Sequence, residues 1–383
     1  MNKKKKILKK KNEIFPKPFI DSLNGHKDSI LKIISHPEHS SFVFTGSADG
    51  ELRFWSLSLR KNFRIIKAHD RFVRGISIDS KGKSILSCSD DCTLKIWDLA
   101  SQKNKPLFFF KAKFPFSSLA SHPKNQFFLT GNKNLILWDQ EQLKPIQKLG
   151  WNLSSISTIK FNTIEFNIIT TACSDRSIIL YDLRLHSPVK KLFLEMRTND
   201  IIWSKTDYWD FYAANENGNV YVFDIRKLGK IKKIYQGHVM AVTSLDEDDL
   251  GSSIVTGSLD STLRLFSKVP QKNPYIYFTQ RMKRVLSISI SKDGKFILSG
   301  SEDGNLRIWK NFYNKESNFF KNHINNDGYS KKKNSPPPPN LKNILKIKEL
   351  LFKKKENIKL KSRKHILPGG ILKKKNLNLN KIF

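Results

Sequence analysis

Cysteine is scarce in this chain, with Cys88, Cys92 and Cys173 the only three among 383 residues. No two are spaced as a CxxC pair, which excludes the usual zinc ribbons and any disulfide framework. Buried structural thiols in an intracellular, reducing compartment are the expectation. Long apolar runs are also missing: none approaches the about 18 residues that span a bilayer. The opening MNKKKKILKKK has the charge of a signal peptide but no apolar stretch behind it, so neither secretion nor a membrane role is expected.

Catalytic signatures are lacking as well. The sequence holds no G-x-x-x-x-G-K-[ST], no H-E-x-x-H and no G-x-S-x-G. Gly294, Gly300 and Gly304 are too dispersed for a phosphate loop, and the acidic run at 246–249 reads as a solvated hairpin turn. No catalytic residue, no metal site and no cofactor is expected, and the protein is read as a non-enzyme.

Acid is short too, with 34 Asp and Glu against 69 Lys and Arg, a net charge of +35. The imbalance is concentrated at the ends. Residues 1–19 hold eight Lys and one Glu, and residues 311–383 hold nineteen Lys or Arg and four acids, so the tails carry +22 and the middle +13. The abundance of Lys, Asn, Ile and Phe fits AT-rich coding, but such a bias would load the middle as heavily as the tails. Basic tails of this kind suit nucleic acid, an anionic surface or a nuclear address.

What is present is a repeat. The stretch AHDRFVRGISIDSKGKSILSCSDDCTLKIWDL (68–99) opens on a His after a small residue and closes on Trp97-Asp98. Its alternating apolar segments and tight turns predict three short antiparallel strands. Residues in the Trp97 slot recur as Trp55, Trp97, Trp138, Tyr181, Phe223, Phe266 and Trp309, at intervals of 41 to 43. That is the period of WD-type propeller blades. Six residues before each stands Asp49, Asp91, Asn132, Asp175, Asn217, Asp260 or Asp303. An Asx side chain bonds its own turn backbone and tolerates left-handed geometry, which a two-residue hairpin needs.

The fold class is therefore all-β, a seven-bladed WD-repeat β-propeller. Domains are set at 1–17 (a basic, disordered arm), 18–312 (the propeller) and 313–383 (a basic tail with a proline spacer and a short amphipathic helix). Trp309 ends the third strand of the seventh unit, so residues near 18–24 are expected to supply its fourth strand and close the ring. His26, His69 and His238 are expected to pair with Asp49, Asp91 and Asp260, forming structural His–Asp–Trp sets with Trp55 and Trp97 where an indole follows. The other four blades lack the His, which leaves their entering loops to be held otherwise and to vary for binding.

The loops entering the first strands converge on one face of such a ring. Arg71, Phe72 and Arg74, then Arg197 and Asn199, then Arg281, Lys283 and Arg284 stand there, a mixture that suits RNA phosphate or an acidic peptide. The alternative is that they merely solve loop geometry on a hydrophilic rim.

Six segments carry a more specific likeness: AHDRFVRGI (68–76), FNTIEF (161–166), SDRSIILYDLR (174–184), EMRTNDIIW (195–203), AANENGNVYVFDIR (213–226) and QRMKRV (280–285). With them the chain resembles the Sof family of WD-repeat proteins, components of the small-subunit processome. KHILPGGI (364–371) looks like that family's C-terminal His-Leu-Pro motif, with an added Ile366 and with Gly369 where Lys is usual. The resemblance implies a non-catalytic scaffold for pre-ribosomal RNA processing in the nucleus and nucleolus. Its implied partners are pre-ribosomal RNA, a box C/D small nucleolar ribonucleoprotein and other processome proteins, with the chain a monomer inside a large particle. Asp182-Leu183-Arg184 and Asp224-Ile225-Arg226 also resemble the D-x-R docking box of substrate receptors for cullin-type ubiquitin ligases, which implies a ligase adaptor as an alternative partner.

Overall fold

The computed structural model describes residues 18–313 apart from 102–103, 143, 150–153, 186 and 269–272. The basic arm at 1–17, the proline spacer, the amphipathic helix and the His-Leu-Pro segment lie outside the described residues. Among the described residues the strands form seven four-stranded antiparallel sheets. Blades one to six occupy 30–67, 73–111, 118–149, 156–193, 198–235 and 242–277. The seventh takes three strands from 285–310 and its outer strand from Phe19–Asn24, which pairs antiparallel with Asn305–Lys310. The chain's first strand thus closes the ring, as the unit count required. Leu23 sits in the apolar layer between blades seven and one with Ile30, Trp55 and Leu306, so closure is held by burial as well as by hydrogen bonds.

The Asx periodicity has one local cause. All seven side chains accept the backbone N–H two residues on, at 2.7 to 3.5 Å. In six of the turns the intervening residue has positive φ: Gly50, Cys92, Arg176, Gly218, Ser261 and Gly304. The Asx side chain replaces a missing turn hydrogen bond and offsets the cost of left-handed backbone at the three non-glycine positions. Cys92 is therefore a half-buried turn residue, while Cys88 and Cys173 are buried. Burial pushes the Cys88 thiol up to about 12, leaving it unreactive at neutral pH.

Where the turn holds glycine, the next blade begins with histidine. Gly50 precedes the His69 loop, Gly218 the His238 loop and Gly304 the His26 loop. The reason is steric. A Cβ on Gly50 would stand 2.1 Å from the His69 carbonyl oxygen, one on Gly218 2.7 Å from that of His238, and one on Gly304 2.6 Å from that of His26. Each histidine loop is thus pressed between a glycine of the preceding blade and an Asp of its own. The four turns with another residue after the Asx precede the four blades without the His.

Six innermost strands carry a β-bulge one residue in, at Leu31, Arg74, Ser157, Asn199, Thr243 and Leu286. Several of these side chains reach the next blade. Ser157 Oγ donates to the Thr198 carbonyl (3.2 Å), Asn199 Nδ2 to that of Val242 (2.9 Å) and Thr243 Oγ1 to that of Val285 (2.7 Å). This partial girdle satisfies carbonyls on the free edges of the innermost strands and fixes blade spacing around the channel.

The acidic run at 246–249 departs from the solvated turn expected of it. Asp246 and Glu247 end an innermost strand, and Glu247 and Asp248 are fully buried. Lys205 meets Asp249 at 2.7 Å, Lys292 meets Asp249 at 3.1 Å, and Lys268 pairs with Glu247. The lysines come from blades five, six and seven, so the run is an ionic junction between blades.

The glycine–histidine clamp is tested by substitution. Gly50→Ala should lower the melting temperature by about 4 °C or more, because it combines unfavourable φ with a backbone clash. Cys92→Gly, in a turn with no histidine against it, should shift stability by less than about 1 kcal/mol. Differential scanning calorimetry of the two variants separates steric clamping from a general turn preference.

Candidate functional site

The histidine sets come first because they fix which loops are rigid. In blade one Trp55 Nε1 donates to Thr45 Oγ1 (2.8 Å), which lies 2.7 Å from His26 Nε2, and His26 Nδ1 lies 3.3 Å from Asp49. An indole N–H can only donate, so the hydroxyl proton is left for Nε2, and the imidazole proton sits on Nδ1 facing the carboxylate. Blade two repeats this through Trp97, Ser87, His69 and Asp91 (3.0, 2.8 and 3.1 Å). In blade six His238 meets Asp260 at 2.8 Å and Thr256 at 2.7 Å, and Phe266 ends the chain one link early. Burial holds the His69 imidazole down at about 4 against the opposing pull of Asp91. Burial raises the Asp49 carboxyl, but hydrogen bonds from His26 and the Glu51 N–H outweigh it and bring it to about 2.

These sets are latches with every polar atom engaged. Among the described residues one grouping of potential metal ligands is present, His26, Asp49 and Glu51. Glu51 Oε2 is already taken by the Arg53 guanidinium at 2.8 and 3.0 Å, and His26 by its Asp and Thr neighbours.

The blades without histidine use other fastenings. In blade seven Arg307 reaches from the third strand to Asp303 (2.5 and 3.2 Å) and to the Arg281 carbonyl (3.3 Å). In blade three the buried Phe116 packs in a cluster with Trp138. In blade five Asn215 Nδ2 holds the Met196 carbonyl at 3.2 Å.

One end of the ring gathers the entering loops and the Asx turns. Arg71 and Phe72 are exposed in the loop before blade two, and Arg281, Lys283 and Arg284 are exposed before blade seven, with Met282 buried among them. Arg74 and Asn199 are placed differently from the loop positions expected. Both lie in innermost strands at bulges, where with Arg197 they line a mouth of about 520 Å³ at the channel. Asn199 is committed to the Val242 carbonyl, and Arg74 Nε donates to Asp90 at 2.9 Å. The bulge adds a residue that alternation alone does not reveal.

Phe72 stands on the rim expected of it, whereas sequence reasoning missed Phe114 and Phe193. The three rings are 44%, 49% and 66% exposed, and each has a cation over it. Phe114 follows the outer strand of blade two and Phe193 ends that of blade four, but their exposure follows from packing.

The two D-x-R boxes lie at the opposite end, where third strands finish. Arg184 forks onto Asp182 at 3.0 and 3.1 Å, and Arg226 onto Asp224 at 2.8 and 3.1 Å. Each Arg also donates its backbone N–H to the same carboxylate. The forks cap the strand ends, yet the guanidinium side chains stay 65% and 58% exposed. Arg226 lies 4.9 Å from the Trp209 ring.

Residues 17–56, 60–98, 229–267 and 276–310 match the WD domain, G-beta repeat family. The matched blades are one, two, six and seven, leaving the three that depart most from the His–Asp–Trp pattern. "DDB1- and CUL4-associated factor 13" of Xenopus tropicalis is 38% identical over 305 residues, 79% of this chain and 68% of that protein. "Protein SOF1" of Saccharomyces cerevisiae is 36% identical over 328 residues, covering 79% of this chain and 67% of the relative. Among solved structures, the WD40 β-propeller domain of Doa1 superposes with a TM-score of 0.66 at 19% identity, covering 78% of this chain and 98% of that one, a likeness of fold alone.

The latch carries a pH dependence. Between pH 6.5 and 4 the unfolded chain binds a proton that folded His69 refuses, so stability is complete above pH 6.5 and falls as pH drops towards 4. Asp49 adds to the loss between about 3.8 and 2. Melting temperatures from pH 7 to 4.5 should fall less steeply for His69→Gln than for the parent, by an amount equivalent to about 2–3 kcal/mol.

Proposed function

Because this chain belongs to the Sof family of WD-repeat proteins, we propose that it is a non-catalytic scaffold of the small-subunit processome. In that reading it is needed for pre-ribosomal RNA processing and small-subunit biogenesis in the nucleus and nucleolus. It works beside a box C/D guide ribonucleoprotein and other processome proteins. The observation that carries this reading is a closed ring that bears a set of basic entering loops. Loops 112–117, 194–197 and 278–284 hold five cations, Lys113, Arg197, Arg281, Lys283 and Arg284, against one acid, Glu195. They stand on a closed frame of seven four-stranded sheets. The basic arms add phosphate contacts by counterion release, which makes binding steeply dependent on salt.

A second reading is favoured by the exposed Asp–Arg forks and by the words "DDB1- and CUL4-associated" in the relatives' name. Arg184 and Arg226 present guanidinium edges at the end of the ring opposite the basic loops. One chain could therefore meet a ligase adaptor and a ribosomal particle on different faces.

Affinity purification of the parent and of Arg184→Ala/Arg226→Ala, with sequencing of retained RNA and mass spectrometry of retained protein, tests both. The parent should retain small-subunit precursor and its guide RNA. The double variant should keep that RNA and lose any ligase subunits. Absence of precursor RNA from the parent sample would contradict the scaffold reading, and ligase subunits retained equally by both proteins would contradict the docking one.

A further inference from the structure

We propose that the basic end of the ring binds RNA as a single strand, with Phe72, Phe114 and Phe193 as stacking platforms for its bases. The proposal rests on the reading of that end as an RNA surface and specifies the form the RNA takes there. Three observations lead to it. Each Phe projects from a loop or strand terminus at the same end of its sheet, one leading into blade two, one into blade three and one closing blade four. Each is about half exposed or more, although burying such a ring would stabilise a chain with no partner. And each has a cation set over it: Arg74 at 5.4 Å, Lys133 at 5.0 Å and Lys191 at 4.8 Å from the ring centroids.

Two of the three cations are held in place by acids. Asp90 binds Arg74 at 2.9 Å, and Asp175, itself the Asx residue of its turn, binds Lys191 at 3.2 Å. A positive charge fixed on one face of an aromatic ring leaves the rest of that ring for a flat apolar group and places the charge within reach of that group's anionic linkage. A nucleobase and its phosphate offer that combination at every step. An acidic peptide would use the cations and leave the rings without a partner, and duplex RNA keeps its bases inside its own stack. Unstacked bases are the ligand that uses both halves of each Phe–cation pair. The loops entering blades two, three, five and seven supply complementary charge, with six cations to two acids.

The test is fluorescence anisotropy with the full chain, a labelled 12-nucleotide oligouridine and a labelled RNA duplex of the same length, at several salt concentrations. Phe72→Leu/Phe114→Leu/Phe193→Leu keeps apolar bulk at exposed positions and removes the rings, and its melting temperature should match the parent's. We expect the parent to bind the single strand more tightly than the duplex, and the triple variant to lose about tenfold or more for the single strand alone. The slope of log K against log salt should stay unchanged, because no phosphate contact is removed. Equal affinity of parent and variant for the single strand would overturn stacking while leaving the RNA surface intact. Failure of the parent to bind either RNA would overturn the RNA surface itself. Displacement of the oligouridine by poly-glutamate at equal charge concentration would overturn the proposal in favour of an acidic protein partner.

Discussion

The contact on which the ring's architecture turns is the pressing of a histidine loop between a glycine of one blade and an aspartate of the next. A carbonyl can approach the Gly50, Gly218 and Gly304 turns only because no Cβ stands there. The same loops place His69, His238 and His26 over Asp91, Asp260 and Asp49, where burial, hydroxyl partners and carboxylates fix the imidazoles in one orientation. Three of the seven seams between blades are locked in this way. The remaining seams depend on the bulge girdle, on the Arg307–Asp303 fork and on apolar packing.

That unequal division shapes function. Where the latch is missing, the entering loops carry Phe114, Arg197 and the basic segment from Arg281 to Arg284. A loop relieved of its structural histidine can spend its side chains on a partner, while neighbouring latched loops keep the rim in position. The opposite end presents the two Asp–Arg forks and the buried ionic junction around Glu247, so the faces differ chemically although the blades share one plan. Closure by Phe19–Asn24 makes this possible, since an open ring would expose the edge of Asn305–Lys310 and lose its fixed spacing.

Much of the architecture was legible because it is written locally. The Trp-slot period, the seven Asx residues and the missing outer strand of the last unit all lie within short windows, and each maps onto a single hydrogen-bonding rule. The pairing of an Asx-Gly turn with a histidine 19 or 20 residues later was also visible in the sequence at Gly50 and Gly218, but its meaning needed the distance from Gly50 to the His69 carbonyl. Other features depend on contacts between distant segments. The acids at 246–249 look solvated until Lys205, Lys268 and Lys292 are brought to them. Arg74 and Asn199 looked like loop residues because a bulge shifts register without changing composition. The exposed rings of Phe114 and Phe193 were overlooked because exposure is a property of packing.

Hydrogen exchange of the full chain, with and without single-stranded RNA, measures latch and surface together. In the free protein, amides of the latched loops at 68–72 and 236–241 should exchange more slowly than those at 194–197 and 278–284. On adding RNA, the second group, 112–117 and the loop around Phe72 should become protected, with the ends around Arg184 and Arg226 unchanged. Equal exchange in the two groups of loops, or RNA protection confined to the Arg184 and Arg226 end, would contradict a latched ring that offers its free loops to RNA.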